Sequence, residues 1–494
     1  MTGSGATRAP RDYAKFREEC QELLRLGQGA QVVSRLSALN IAKIPDPERQ
    51  AFATLSRRAN LFSLGLKIML PLLRDARGFR PVREKASAWA EYAFILHKVG
   101  STPEALKILK QIDASRVPDA YLFRAFCSFN QWDYESVPSV LKAYVDHPSV
   151  TGYQKLVGQV NLASALIVLK ADGEAEALLA QILEECRAGG HTRLSGNAHE
   201  LSAQLELSRR RWDAARTHLE EASKILAADS TSDRLFVEKW KSVIPALERG
   251  DTAHLPSARK LALAQGHWET VRELDSVLAR ATRDEALVRK LYFGTPYEGY
   301  RKLLLENYGE AIELGESFDL GSKGPVYEVS TGRLDGERAL NPGKTTQRIL
   351  ALLAADLYRP LRIGAIFSSM FPDEHFDVHS TPNRIYQLIF RARSEIKAAR
   401  LPFGIDEEES LFSLKGTRPY VLRLASVEAP KSREEVHLIE VSKLFERREF
   451  STRDLRDEMG LAESTAKRVL RAGVKLNRLR VIGTGRDTRY ACVA

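Results

Sequence analysis

The chain has 494 residues, 44% hydrophobic and 28% charged, the balance of an ordinary soluble globular protein with length for roughly two to four domains. A formal net charge of +10 leans toward a polyanionic partner, although a basic balance also serves solubility. Cys20, Cys127, Cys186 and Cys492 lie far apart with no CxxC pair, which argues against structural zinc or a disulfide framework and for a reducing, cytoplasmic compartment.

Residues 1–10, "MTGSGATRAP", read as a polar, disordered tail without the apolar centre of a signal peptide. From 11 to 308 alanine and leucine recur at three- and four-residue spacing, which predicts helix after helix. The most apolar run, "LFSLGLKIMLPLL", contains Lys67 and Pro71 and is too short to span a bilayer, so no membrane association is expected. Several stretches share one plan of helix, tight turn and helix. "AWAEYAFILHKVGSTPEALKILKQI" is one. "AYLFRAFCSFNQWDYESVPSVLKAY" repeats it with Trp132 and Asp133 at the turn, and two later copies place Trp212 and Trp268 there. These segments resemble tetratricopeptide repeats, with Ala105, Ala175 and Ala215 at the small-residue positions and the three tryptophans as turn aromatics. The resemblance implies an α-solenoid whose hairpins bury a face only by stacking. Its expected work is to hold a protein or peptide, or to bring copies of the chain together. Interior packing is the expected role of the tryptophans. His97, His199 and His267 fall in no catalytic or ligand pattern.

"NPGKTTQRIL", Asn341 to Leu350, carries the Gly-Lys-Thr of a phosphate-binding loop, but the glycine needed five residues earlier is Arg338. Around it, Val326–Val329 and Glu337–Leu340 read as short strands. Three helices follow, then two strands around Lys415 and Gly416. This order over 309–426 resembles the OmpR/PhoB-type winged-helix domain of bacterial transcription regulators. On that resemblance "NPGKTTQRIL" is the start of the first helix, with Asn341 or Thr345 as its cap. The resemblance makes "RIYQLIFRARSEIKAARL" the recognition helix, with Ile385, Leu388, Ile389, Ala392 and Ile396 buried. Arg384, Gln387, Arg391 and Ser394 would face outward. Arg384, Gln387 and Arg391 are then candidate base contacts, and Arg393, Lys397 and Lys415 candidate phosphate contacts. His375 and His379, four apart beside acids, lie in a stretch that reads as an exposed loop and are not expected to hold a metal.

Beyond the break "VEAPKSRE", residues 431–494 read as helix, helix, turn at Gly460, helix and hairpin, with Ser451 and Asp454 as a capping pair. "STAKRVLRAG" followed by "RVIGTGRDTRYACV" is similar to winged helix-turn-helix regulators with MarR- and DeoR-like members. Ala462 stands where a capping Ser is usual, and Gly473 where a core Leu is usual. Ser464, Thr465, Lys467, Arg468, Arg471 and Lys475 on the third helix are candidate DNA contacts, as are Arg486 and Arg489 on the hairpin. The whole reads as a mainly α chain, a TPR-like solenoid followed by two small winged-helix (α+β) domains. It is expected to be a non-enzymatic, cofactor-free transcription regulator that binds double-stranded DNA in the cytoplasm, associated with the nucleoid. The rival expectation is an interaction scaffold whose winged helices bind protein.

Overall fold

Each expected helical hairpin closes in the same way. The computed structural model describes residues 12–75, 78–79, 83–226, 231–309, 312–341, 343–425, 433–446, 448–483, 485 and 488–493. The expected tail, the break around Pro430 and Arg486 lie outside them. At Gly27, Asn60, Gly100, Trp132, Lys170, Arg210 and Gly250 the backbone turns left-handed, at intervals of 32 to 40 residues. In most of these turns the next residue donates its N–H to the carbonyl five positions back: Gln28 to Leu23, Leu61 to Ser56, Ser101 to Leu96, Ala171 to Leu166, and Arg211 to Glu206. This bond satisfies a carbonyl left open at the helix end and fixes where the chain reverses.

Five residues after each left-handed residue stands a buried side chain, usually small: Val32, Gly65, Ala105, Val137, Ala175, Ala215 and Leu255. At Gly65 an added Cβ would lie 3.0 Å from Ile95 Cδ1 and 3.3 Å from the Ala53 carbonyl oxygen, so the neighbouring helices approach at nearly backbone distance. The resulting pairs include Ala86–Lys98 with Thr102–Gln111, Gly152–Val168 with Asp172–Gly189, and Thr192–Ser208 with Trp212–Leu226. One continuous core runs from Leu122 through Tyr144, Leu166 and Ile182 to Leu205. The tryptophans are not equivalent, contrary to the sequence reading. Trp132 is itself the left-handed residue, whereas Trp212 and Trp268 open the helices that follow Arg210 and Gly266. Register is set by the backbone bond of the turn, which an aromatic ring neither makes nor requires.

The chain forms two units, the first comprising 1–291, 297–311 and 373–381, the second 292–296, 312–372 and 382–494. Within the first, distant hairpins meet. Trp132 Nε1 donates to Glu269 Oε2 at 3.0 Å, and its ring lies edge-on to Tyr300 at 4.7 Å. Lys302 pairs with Glu135 at 2.9 Å and Lys170 with Glu306 at 3.2 Å. The segment Asp373–Thr381, expected as an exposed loop, buries Phe376 and Val378 and places the Phe376 N–H 3.0 Å from a Glu104 carboxylate oxygen. Two apolar side chains in an otherwise polar run are enough to anchor it. Its Asp377 accepts from the N–H groups of His379 and Ser380. Burial pushes the Asp377 carboxyl up, but those donors outweigh it and hold the group below the usual range. Among the described residues no helix is long and apolar enough to cross a membrane.

The second unit is α+β. Val421–Ala425 runs antiparallel to Ser317–Leu320 and parallel to Val326–Glu328, and Arg333–Leu334 and Glu337–Arg338 complete the sheet. The expected closing hairpin around Lys415 is a correction. Leu411–Gly416 pairs instead with Phe403–Glu408, turning at the left-handed Glu409 and Ser410, while Val421–Ala425 belongs to the other sheet. Pro419 has no N–H for a ladder. The chain passes there over Gly324, where a Cβ would lie 2.2 Å from the Pro419 carbonyl oxygen. Helices Thr345–Ala355, Ile363–Met370 and Thr381–Ala398 follow the expected order, the last beginning three residues earlier than read. Lys344, and neither Asn341 nor Thr345, is the N-cap of Thr345–Ala355. The Gly343 N–H is taken by the side chain of buried Gln347, which also donates to the Val329 carbonyl at 2.8 Å. The glycine that suggested a phosphate loop thus serves a buried amide. The last three helices, Arg433–Leu444, Thr452–Met459 and Glu463–Lys475, enclose a core of Leu438, Phe445, Phe450, Leu455, Val469 and Leu479. An ion pair of 3.2 Å joins Arg333 to Glu440 within this unit. His437 and Arg333 hold Glu440 below the usual carboxylate range against the effect of burial.

At Gly299 an added Cβ would sit 2.2 Å from the Trp132 carbonyl oxygen, whereas Gly173 has open space. Gly299→Ala is expected to destabilise by about 1–3 kcal/mol, as overpacking against backbone does. Gly173→Ala should be neutral or stabilising by up to about 1 kcal/mol through helix propensity. Thermal unfolding of the two variants checks this, and equal transitions would refute the close approach at Trp132.

Candidate nucleic-acid interface

Helix Thr452–Met459 is fixed at both ends. Ser451 Oγ accepts from the Asp454 N–H at 3.2 Å and Asp454 Oδ2 accepts from the Ser451 N–H at 2.8 Å, the reciprocal capping pair that the sequence implies. Hydrogen bonds from the Ser451 backbone hold the Asp454 carboxyl below the usual range, helped by the nearby Arg489 and Arg448 charges. Gly460, at φ +61°, ends the helix and turns the chain toward the next.

Glu463–Lys475 then packs through Ala466, Val469, Leu470 and Gly473. Gly473 does more than weaken a helix where a leucine is usual. An added Cβ would lie 2.5 Å from Leu479 Cδ1 and 2.7 Å from Leu438 Cδ2. The missing side chain lets the helix lie against both, with the hairpin strand Leu479–Ile482 brought directly alongside. At about 100° per residue, Ser464, Lys467, Arg468, Arg471 and Lys475 occupy an arc of roughly 100° on the opposite side. All five are exposed. Thr465, expected among them, is 9% exposed and falls toward the core side of the arc.

The electrostatics of that arc are uneven. Lys467 is drawn to Glu463 at 2.6 Å and Arg468 to Glu434 at 3.6 Å, both across exposed surface. Arg471 and Lys475 make no ion pair among the described residues, nor do Arg480 and Arg489 on the strands Leu479–Ile482 and Arg489–Cys492. An exposed pair such as Lys467–Glu463 is worth no more than about 1 kcal/mol and opens readily to a phosphate. The helix arc is therefore a positive surface, and Arg480 and Arg489 add exposed charge on the neighbouring hairpin. The phosphates of a duplex, one charge per ~1.7 Å, are a natural counterpart to such a surface.

The helix Thr381–Ala398 is less free. Ile385, Ile389, Ala392 and Ile396 are buried, as the sequence implies. Gln387, Arg391 and Lys397 are exposed, and Ser394 Oγ is turned back to the Phe390 carbonyl at 3.2 Å. Arg384 lies 3.5 Å above the Phe371 ring centroid. Two of the expected phosphate contacts have partners within the protein. Arg393 Nε donates to the Ile405 carbonyl at 3.1 Å with Glu407 at 3.6 Å, because the Phe403–Glu408 strand passes beneath it. Lys415 pairs across that hairpin with Asp406 at 2.9 Å. Sequence reading missed Phe390, whose ring is 71% exposed on the face away from Ile385 and Ile389. The signal was present: Tyr386 and Phe390, four apart, fall outside the apolar stripe. Among the described residues no group of His, Cys, Asp and Glu side chains is arranged to hold a metal ion. No protein-family model matches the chain, and no curated protein matches it.

Gly473→Leu adds an apolar side chain to the apolar side of the helix yet should destabilise by about 1–3 kcal/mol or more, because neither Leu438 nor Leu479 can withdraw without opening the core. Thermal unfolding of the full chain measures it. A variant as stable as the parent would show that the helix does not lie so close to the hairpin.

Proposed function

We propose that this protein is a non-enzymatic transcription regulator that grips duplex DNA through helix Glu463–Lys475 and the hairpin beside it. In this reading the C-terminal module is a winged helix-turn-helix and the helical hairpins of the first unit are a TPR-like platform for a partner. The observation that carries it is the arc of Ser464, Lys467, Arg468, Arg471 and Lys475, exposed on one face of the helix, with Arg480 and Arg489 exposed on the neighbouring hairpin. Helix residues enter the major groove, and Arg489 reaches the adjoining backbone. Arg486, one of the expected hairpin contacts, belongs to the same basic sequence.

The module containing Thr381–Ala398 adds a second, weaker hold through Gln387, Arg391 and Lys397. Arginine and glutamine suit the paired acceptor and donor edges of guanine and adenine. Two holds on one chain raise the apparent affinity through effective concentration. A second reading, in which this helix binds protein, is favoured by one observation, the ring of Phe390 presented to solvent.

Charge reversal separates the contributions. Arg471→Glu with Lys475→Glu should weaken duplex binding at least about 100-fold, since two phosphate contacts are replaced by repulsion. Arg393→Ala and Lys415→Ala, whose side chains are already engaged, should change it less than about threefold. Fluorescence anisotropy with a labelled duplex reads both. Unchanged binding in the double reversal, with the fold intact by circular dichroism, would refute DNA binding through this face.

A further inference from the structure

The first unit contains an open cavity of about 1130 Å3 that the DNA-binding reading does not use. Its walls are drawn from the turns of successive hairpins: the left-handed residues Trp132, Lys170, Arg210, Gly250 and Arg283 all line it. At the turns away from the cavity the same position is filled by Gly27, Asn60 and Gly100, the residue types that enter this conformation most easily. A long or bulky side chain there is less favourable by roughly 1 kcal/mol. Four of the five turns that face the cavity nonetheless carry Trp, Lys or Arg. Trp132 and Lys170 use their side chains to join distant hairpins through Glu269 and Glu306, whereas Arg210 makes no ion pair among the described residues.

The lining combines aromatic surface with charge. Tyr134, Trp212, Trp240 and Tyr300 contribute rings to it. Its acids are already neutralised: Asp172 by Arg209 at 3.5 Å, Glu273 by Lys239 at 2.8 Å, Glu306 by Lys170 at 3.2 Å, and Glu248 by Arg216. Arg210 and Arg280 make no ion pair among the described residues. Both are solvent-accessible, as side chains that gather a ligand in an open cavity must be. Burial, and then the neighbouring Arg210 charge, hold Arg280 below the usual guanidinium range. Both arginines line the one cavity without an ion-pair partner among the described residues, and an anion bound there is stabilised by their charge. The uncompensated charge of the cavity is therefore positive, beside flat apolar walls.

We infer that this cavity is a binding site for a small amphipathic organic anion, an aromatic or aliphatic body lying on Trp212 and Trp240 with its carboxylate, sulfonate or phosphate held by Arg210 and Arg280. A cation is disfavoured by the same accounting, because every lining acid already has a partner. A neutral apolar molecule would leave the two arginines uncompensated. The site stands on the geometry of the first unit alone and is independent of whether the second unit binds DNA.

The test uses two probes of similar shape on the full-length protein, the anionic 8-anilinonaphthalene-1-sulfonate and the neutral N-phenyl-1-naphthylamine. Binding is followed by energy transfer from the protein's tryptophans. The parent should bind the anion about tenfold more tightly than the neutral probe, the effect of one good charge-assisted contact. Arg210→Ala with Arg280→Ala should bring that ratio close to one while leaving the affinity for the neutral probe unchanged. Because the readout is a ratio within one protein sample, partial loss of folding does not imitate the result. Equal affinity for the two probes in the parent, a preference for the anion that survives the substitutions, or no binding of either probe would each overturn the inference.

Discussion

At Gly473 there is no room for a side chain: a Cβ would stand 2.5 Å from one leucine methyl and 2.7 Å from another. That closeness locks helix Glu463–Lys475 against Leu438 and Leu479, and with its apolar side fixed, the five residues of its polar arc are left exposed. The same constraint operates throughout the first unit. A small or buried residue five places after each left-handed turn lets one helix settle against its neighbours, from Gly65 and Ala105 to Ala175 and Ala215. Interiors packed to crystal-like density make such contacts rigid. Side chains at the turns and on outward faces are thereby presented in fixed positions.

Charge is distributed accordingly. In the first unit many exposed ions find a partner, as in the Lys142, Arg187 and Lys302 pairs. On the C-terminal helix and hairpin Arg471, Lys475, Arg480 and Arg489 do not, among the described residues. Unpaired charges of one sign on adjacent elements repel one another and are maintained most readily where a polyanion relieves them. Arg210 and Arg280 pose the same problem at smaller scale, inside a cavity and beside aromatic rings.

Much of this was legible in the sequence, because much of it depends on local rules. Apolar periodicity marks the hairpin helices, and the Ser451 to Asp454 spacing marks a capping pair that forms as read. The buried stripe through Ile385, Ile389, Ala392 and Ile396 follows from 3.6-residue periodicity alone. What sequence could not give depends on partners distant along the chain. Thr465 reads as a helix-start hydroxyl but is covered by the core. Arg393 and Lys415 read as free cations, yet the strand Phe403–Glu408 supplies Glu407, the Ile405 carbonyl and Asp406 to hold them. Leu411–Gly416 and Val421–Ala425 read as one hairpin and join separate sheets, since pairing is decided by strands from elsewhere. The cavity is likewise invisible in sequence, being walled by turns far apart in the chain.

The most direct measurement is the salt dependence of duplex binding by the full-length protein. If Arg471, Lys475, Arg480 and Arg489 each displace a counter-ion from a phosphate, log Kobs should fall linearly with log salt concentration, with a slope of roughly −3.6. A slope near zero, or no binding at low salt, would contradict the account: the basic face would then not be a nucleic-acid surface.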